Sequence, residues 1–141
     1  MSTSFGNTFK LSVYSPERKL VESEEVSSLL ITTVEGETEV LPGHVDMISQ
    51  LETGRFEYRP LQGKPVTGVI SSGFLNVQGG SVKIVAETLE LPHEIDVNRA
   101  RAAQQKAEQM LTDASLAESD FRKYQLKLQR AIIRQGVSGI H

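Results

Sequence analysis

Two patterns of apolar residues divide the chain. From Thr8 to about Ala86, apolar and polar positions alternate in short runs broken by glycine and proline. From Asp96 onward, alanines and larger apolar residues recur at steps of three and four. A period of about two marks strands and a period of about 3.6 marks helices. The change falls in the stretch Glu90-Leu-Pro-His-Glu-Ile-Asp-Val-Asn-Arg-Ala100. Pro92 cannot continue a strand ladder, and Asp96 is a good N-cap for the helix that follows.

In the first part, Phe9, Leu11 and Val13 share one face of a predicted strand, and Ser15-Pro-Glu-Arg18 reads as a turn. A longer run, Val26 to Val34, closes at Glu35-Gly-Glu37. Strands are then predicted at Phe56–Arg59, Val66–Ile70, Phe74–Val77 and Val82–Ala86. Their separators include Pro42-Gly43, Thr53-Gly54, Gln62-Gly-Lys-Pro65 and a hairpin turn at Gly79-Gly80. Short strands spaced roughly 8–12 residues apart indicate an antiparallel β sandwich or a flattened barrel, with the sandwich the expected form.

In the second part, Ala100, Ala103, Ala107, Met110 and Ala114 form a narrow stripe of small groups on one helix. After a turn at Thr112-Asp-Ala-Ser115, Ser115 and Glu118 have capping-box spacing for a second helix. Ala117, Phe121, Tyr124, Leu128 and Ala131 form its stripe, and Gly136 and Gly139 mark its frayed end. Bulky groups facing alanines complement each other as an antiparallel hairpin requires. The expected organisation is a sandwich over residues 1–88, a hinge over 89–95 and a helical hairpin over 96–141.

Charge sharpens this division. Residues 1–95 hold 7 basic and 13 acidic side chains, whereas residues 96–141 hold 8 basic and 5 acidic, within a net charge of −3 for the whole chain. Arg122, Lys123, Lys127, Arg130 and Arg134 crowd the second helix against Asp120. They form either a solvated charged face or a docking surface for acidic protein or phosphate. Nucleic acid is not an expected partner, because the chain is acidic and no aromatics interleave with the basic residues. Arg99 stands where the helix macrodipole favours an acid. It either pairs back to Asp96 or helps hold an anion at the helix N-terminus.

Catalytic chemistry is not expected. The chain has no cysteine, which excludes disulfides, thiol catalysis and cysteine-ligated metal. Its three histidines, His44, His93 and His141, lack ligand spacing, so no metal is expected. Ser71 and Ser72 precede Gly73 without a nucleophile-elbow pattern and read as strand and bulge residues. The N-terminus lacks the pattern of a signal peptide, and no apolar stretch approaches the roughly 20 residues of a membrane span.

Several segments together carry a family resemblance. They are Ser15-Pro-Glu-Arg-Lys19, Val40-Leu-Pro-Gly-His44, Leu51-Glu-Thr-Gly54, Ser72-Gly-Phe74 with Val77, Val82-Lys-Ile-Val-Ala-Glu87, and Glu94-Ile-Asp-Val-Asn-Arg-Ala100. In this order and spacing the chain resembles the epsilon subunits of F-type ATP synthases, the equivalent of the mitochondrial delta subunit. The resemblance covers nearly the whole chain. It implies a non-catalytic subunit of the central stalk, with a sandwich that binds the gamma subunit and rests on the membrane rotor c-ring. It also implies a hairpin that extends toward the alpha and beta subunits and blocks ATP hydrolysis. Its expected location is peripheral, at the cytoplasmic face of a bacterial inner membrane, coupling proton or sodium flow to ATP synthesis.

The family's ring contact maps to Glu37 and His44. Where the family usually has Gly-Glu-(Phe or Leu)-Gly, this chain has Gly36-Glu37-Thr38-Glu39. No cofactor is required. Some bacterial members bind regulatory ATP between the folded helices, and that pattern maps to Glu90, Asp96, Arg99, Lys106, Arg130 and Arg134. Lys106 stands where an arginine is usual, keeping the charge but losing bidentate geometry. An ATP-sensing module whose hairpin closes on nucleotide is therefore the alternative function.

Overall fold

A computed structural model describes residues 6–138. Within these, seven strands precede a short 3-10 turn and two helices. The strands are β1 (Phe9–Ser15), β2 (Arg18–Thr33), β3 (Gly36–Val40), β4 (Met47–Leu51), β5 (Gly54–Pro60), β6 (Val66–Gln78) and β7 (Ser81–Glu90). The chain forms two compact units that meet between Leu89 and Glu90.

The first unit is a β sandwich, as the alternation indicates. Two long strands take part in both of its layers. One half of β6 pairs with β5 (Gly54↔Ile70 to Tyr58↔Val66) and the other half with β4 (Met47↔Val77 to Leu51↔Gly73). β2 likewise pairs first with β1 and then with β5 and β3. Phe56, Leu11, Leu29, Ile31, Ile70, Leu75 and Ile84 are fully buried between the layers. Tyr58 stacks on Phe56 at 6.3 Å between ring centroids, and burial pushes its phenol up to about 12, so it is neutral in the core. One pair departs from the antiparallel expectation. β1 and β7 run parallel, with Lys10↔Ser81 and Tyr14↔Val85 in register. No hairpin joins these two strands, and a parallel neighbour needs a long connection of this kind.

Three strand regions escape the sequence pattern. Val66–Ile70 and Phe74–Val77 belong to one strand, bent at Ser72 (φ 53°) and Gly73 (φ 130°). Gly73 is required there, since a Cβ would lie 2.0 Å from the Val85 carbonyl oxygen. β3 and β4 are additional, short and largely exposed, so they lack an apolar alternation long enough to read. β2 begins eight residues ahead of Val26, through a charged half-exposed stretch.

In the second unit, a 3-10 turn spans Pro92–Glu94, α1 spans Val97–Leu111 and α2 spans Glu118–Ser138. Asp96 caps α1, accepting the Arg99 backbone N–H at 3.1 Å. The capping box at Ser115–Glu118 does not form. Asp113 Oδ1 instead accepts both the backbone N–H (2.9 Å) and the hydroxyl (2.7 Å) of Ser115, and these bonds hold the Asp113 carboxyl below its usual range. Glu118 and Asp120 fall in the first turn of α2, where the macrodipole favours acids. Gly136 lies within α2 and not at a frayed end, while Gly139 and His141 lie outside the described residues. Ala100, Ala107 and Ala131 are buried as expected, but Phe121 is 40% exposed and Ala103, Ala114 and Ala117 are exposed.

Gly73→Ala should destabilise the sandwich by about 3 kcal/mol, combining a disfavoured φ with an unrelieved backbone overlap. Urea unfolding of the first unit checks this; a midpoint unchanged from the parent would contradict the crossing geometry.

Candidate functional site

The helical unit gathers cations around a small opening. Ala103 and Ala107 of α1 leave room beside α2, and Lys106, Tyr124, Lys127, Arg130 and Arg134 complete the lining of a cavity of about 270 Å³. Alanines create the space because they fill so little of an interhelical seam. On α2, Lys123, Lys127, Arg130 and Arg134 recur at steps of four, three and four, which places them in one stripe. Lys123 and Lys127 flank the Tyr124 ring, with ammonium-to-centroid distances of 5.8 and 5.3 Å. Arg122 falls off this stripe and lines a separate open groove with Phe121, Gln125 and Leu126. The five basic residues therefore occupy two sides of the helix.

Glu90 supplies the counter-charge. Its Oε2 accepts from Arg134 Nη2 at 2.9 Å, and its Oε1 lies 3.6 Å from Arg130 Nη2. The Glu90 and Arg134 side chains are each 19% exposed, so this contact is less screened than a surface ion pair. Three atoms of the cluster are buried without a hydrogen-bond partner: Glu90 Oε1, Arg130 Nε and Arg134 Nε. Orphaned donors of this kind leave capacity for a further acceptor.

Among the residues mapped to nucleotide, the structure brings Glu90, Lys106, Arg130 and Arg134 into one neighbourhood. Asp96 and Arg99 stand apart from the cavity lining, as an exposed helix cap. The chemistry of the cavity fits a phosphate chain, because four cations line it and no carboxylate does. Its volume is just under the roughly 300–1,000 Å³ typical of small-molecule pockets. Lys127 is expected from the sequence as part of a basic docking face, and Tyr124, Ala103 and Ala107 as stripe residues of the seam; that they line one cavity is not expected. Nor is the interhelical bond from Gln135 Nε2 to Gln104 Oε1 at 2.6 Å.

Glu37 and His44 lie in the sandwich, on β3 and in the turn that follows it. That turn is built as its sequence indicates, with Gly43 at φ 83° and His44 N donating to Leu41 O at 3.1 Å. His44 Nδ1 lies 2.8 Å from Val45 O and donates to it. Thr38 and Glu39 continue β3 opposite Ile31 and Leu30, so the missing glycine is replaced by regular strand. Val34, Leu41 and Val45 are exposed in the adjoining loops. Among the described residues no group of three His, Cys, Asp or Glu is placed to hold a metal.

A second surface was not legible as such in the sequence. The outward positions of β1, β7, β6 and β4 form one continuous face, fixed by Ser12↔Lys83, Tyr14↔Val85, Ile48↔Asn76 and Gln50↔Phe74. On it Ile48, Phe74 and Val85 are 76%, 58% and 46% exposed. The available signal was that these apolar residues fall out of phase with the buried ones on their own strands.

Comparison with known proteins follows the same division. The model of the ATP synthase delta/epsilon chain beta-sandwich domain matches residues 8–92, and that of the long alpha-helix domain matches residues 93–139. The ATP synthase epsilon chain of Halalkalibacterium halodurans is 38% identical over 133 residues, covering 94% of this chain and 98% of its own. That of Geobacter sulfurreducens is 35% identical over 130 residues, covering 92% and 93%. A chain of the Euglena gracilis mitochondrial ATP synthase, in an OSCP/F1/c-ring assembly, superposes with a TM-score of 0.83 at 26% identity, covering all of this chain and 86% of that one. A chain from the Tetrahymena thermophila central stalk and c-ring shares the fold, with a TM-score of 0.66 at 13% identity over 92% of this chain and 95% of that one.

Glu90→Ala should lower the local stability of α2 by about 1–3 kcal/mol, because it strips a part-buried guanidinium of its acceptor. Amide hydrogen exchange checks this, with faster exchange expected in α2 and none in β2 or β6. Unchanged α2 protection would show that the ion pair contributes nothing.

Proposed function

The chain belongs to the delta/epsilon chain family of ATP synthase, as a non-catalytic subunit of that complex, and from that premise we propose a rotor-stalk role in two parts. The sandwich joins the gamma subunit to the membrane c-ring and so helps couple proton or sodium flow to ATP synthesis. The hairpin restrains ATP hydrolysis when it opens toward the alpha and beta subunits. The subunit is peripheral, held at the cytoplasmic face of the inner membrane through its partners; no helix among the described residues is long and apolar enough to cross a membrane.

One observation carries this reading: the two units are packed very unequally. The sandwich encloses large fully buried side chains. The helices bury Ala100, Ala107, Ala131 and Val137, Gln135 of α2 donates to Gln104 of α1, and Arg130 and Arg134 of α2 pair with Glu90. Burial is worth about 0.8 kcal/mol per methylene, so an alanine seam releases at low cost. Two features of the sandwich support the assignment of partners. The exposed strip of Ile48, Phe74 and Val85 suits a protein contact and is assigned to gamma, while the loop end bearing Glu37 and His44 with exposed Val34, Leu41 and Val45 is assigned to the ring. In the extended state, Arg122, Lys123, Lys127, Arg130 and Arg134 would meet acidic surface of the beta subunit. Deleting the residues after Glu94 in the assembled complex should raise ATP hydrolysis. Hydrolysis equal to that of the intact complex would remove the inhibitory part and leave the coupling part.

The cationic cavity favours a second reading, regulatory ATP. Lys106, Arg130 and Arg134 would hold the phosphates, Lys127 lies beside them, and Glu90 would order the arginines. Calorimetry on the full chain should show heat of ATP binding that Arg130→Ala abolishes; no heat at millimolar ATP contradicts it.

A further inference from the structure

The face carrying Ile48, Phe74 and Val85 has a second half of opposite character. At its β1 end, Lys10, Ser12, Ser23, Asn76, Gln78 and Lys83 line a polar cleft of about 390 Å³. No carboxylate lines it, although residues 1–95 carry nearly twice as many acids as bases. Tyr14 joins the two halves. It lines both the cleft and the neighbouring apolar hollow under Phe74 and Val85, and Lys83 and Lys19 each hold an ammonium 5.8 Å from its ring centroid.

The cleft is shaped by a local irregularity and not by loose packing. Between Leu11↔Glu24 and Val13↔Val21 the register of β1 and β2 shifts, so that Glu22 and Ser23 stand opposite Ser12 alone. Ser23 is held at φ 52°, a conformation that costs a non-glycine residue, and its N–H donates to Ser12 Oγ at 2.9 Å. With its oxygen accepting there, the Ser12 hydroxyl proton is left to be donated outward. The arrangement offers two ammonium groups and several neutral donors to an acceptor of negative charge.

We propose that this cleft is a carboxylate receptor: acidic side chains of the protein that covers the Ile48–Phe74–Val85 strip seat between Lys10 and Lys83. The inference rests on the assignment of that strip to gamma. A partner rather than a free oxyanion is indicated by continuity, since cleft and strip form one four-stranded face and share Tyr14. An apolar centre beside a charged margin is the usual anatomy of a specific interface, in which the charges fix orientation and suppress wrong partners.

The test is binding of the full chain to the gamma subunit of the same complex over a range of salt. Parent affinity should fall as salt rises. Lys10→Gln with Lys83→Gln should weaken binding on the order of tenfold at low salt and flatten the salt dependence. Phe74→Ala should weaken binding while leaving the salt dependence in place. Parent-like affinity and salt response in the lysine variant, with Phe74→Ala still impaired, would overturn the receptor and keep the face. Loss in neither variant would overturn both. Inorganic phosphate serves as a control: phosphate binding by the free chain that the lysine substitutions abolish, with affinity for gamma unchanged by them, would make the cleft a free-oxyanion site and overturn the proposal.

Discussion

The sandwich depends on one steric permission. β6 must serve β5 with its first half and β4 with its second, which forces a bend at Ser72 and Gly73 and brings the strand against the Val85 carbonyl. A side chain at position 73 would fill the space that the carbonyl occupies. Everything on the outer face follows from that approach, because it sets Phe74 beside Val85 and carries Asn76 and Gln78 into the cleft with Lys10 and Lys83. A backbone constraint inside the domain thus determines which side chains of β6 stand on that face.

The helical unit is organised by charge and by small residues, with little apolar burial. Ala103 and Ala107 open a cavity that larger residues would close, and two of the cations around it, Arg130 and Arg134, pair with Glu90. Such a unit is easily remodelled by anything that competes for Arg130 and Arg134. The sandwich is insulated from that competition by its own core.

Strand alternation, the switch of period after Glu90, the Asp96 cap and the Pro42-Gly43 and Gly79-Gly80 turns were legible because each rests on a local preference. β3 and β4 were not, since strands of five residues with one buried position each carry too little pattern. Ser115 was misread because Asp113, two residues earlier, captures it before it can cap α2. Phe121 looked like a seam residue by spacing alone, yet it stands on the open side of α2. Of the candidate site, Glu90, Lys106, Arg130 and Arg134 stand in one neighbourhood, whereas Asp96 and Arg99 form a helix cap outside the cavity lining. The place of Tyr124 and Lys127 on the cavity was not legible, because nothing local distinguishes a residue facing a void from one facing a seam or solvent.

The parallel pairing of β1 with β7 has a mechanical meaning. The first unit is entered through β1 and left through β7, and parallel neighbours begin at the same end. Tension between Phe9 and Glu90 therefore runs along the strands, loading the bridges from Lys10↔Ser81 to Tyr14↔Val85 in shear together. An antiparallel pair joined at its ends would unzip one bond at a time. This strand order therefore resists force at the point where the second unit begins, without any added residue.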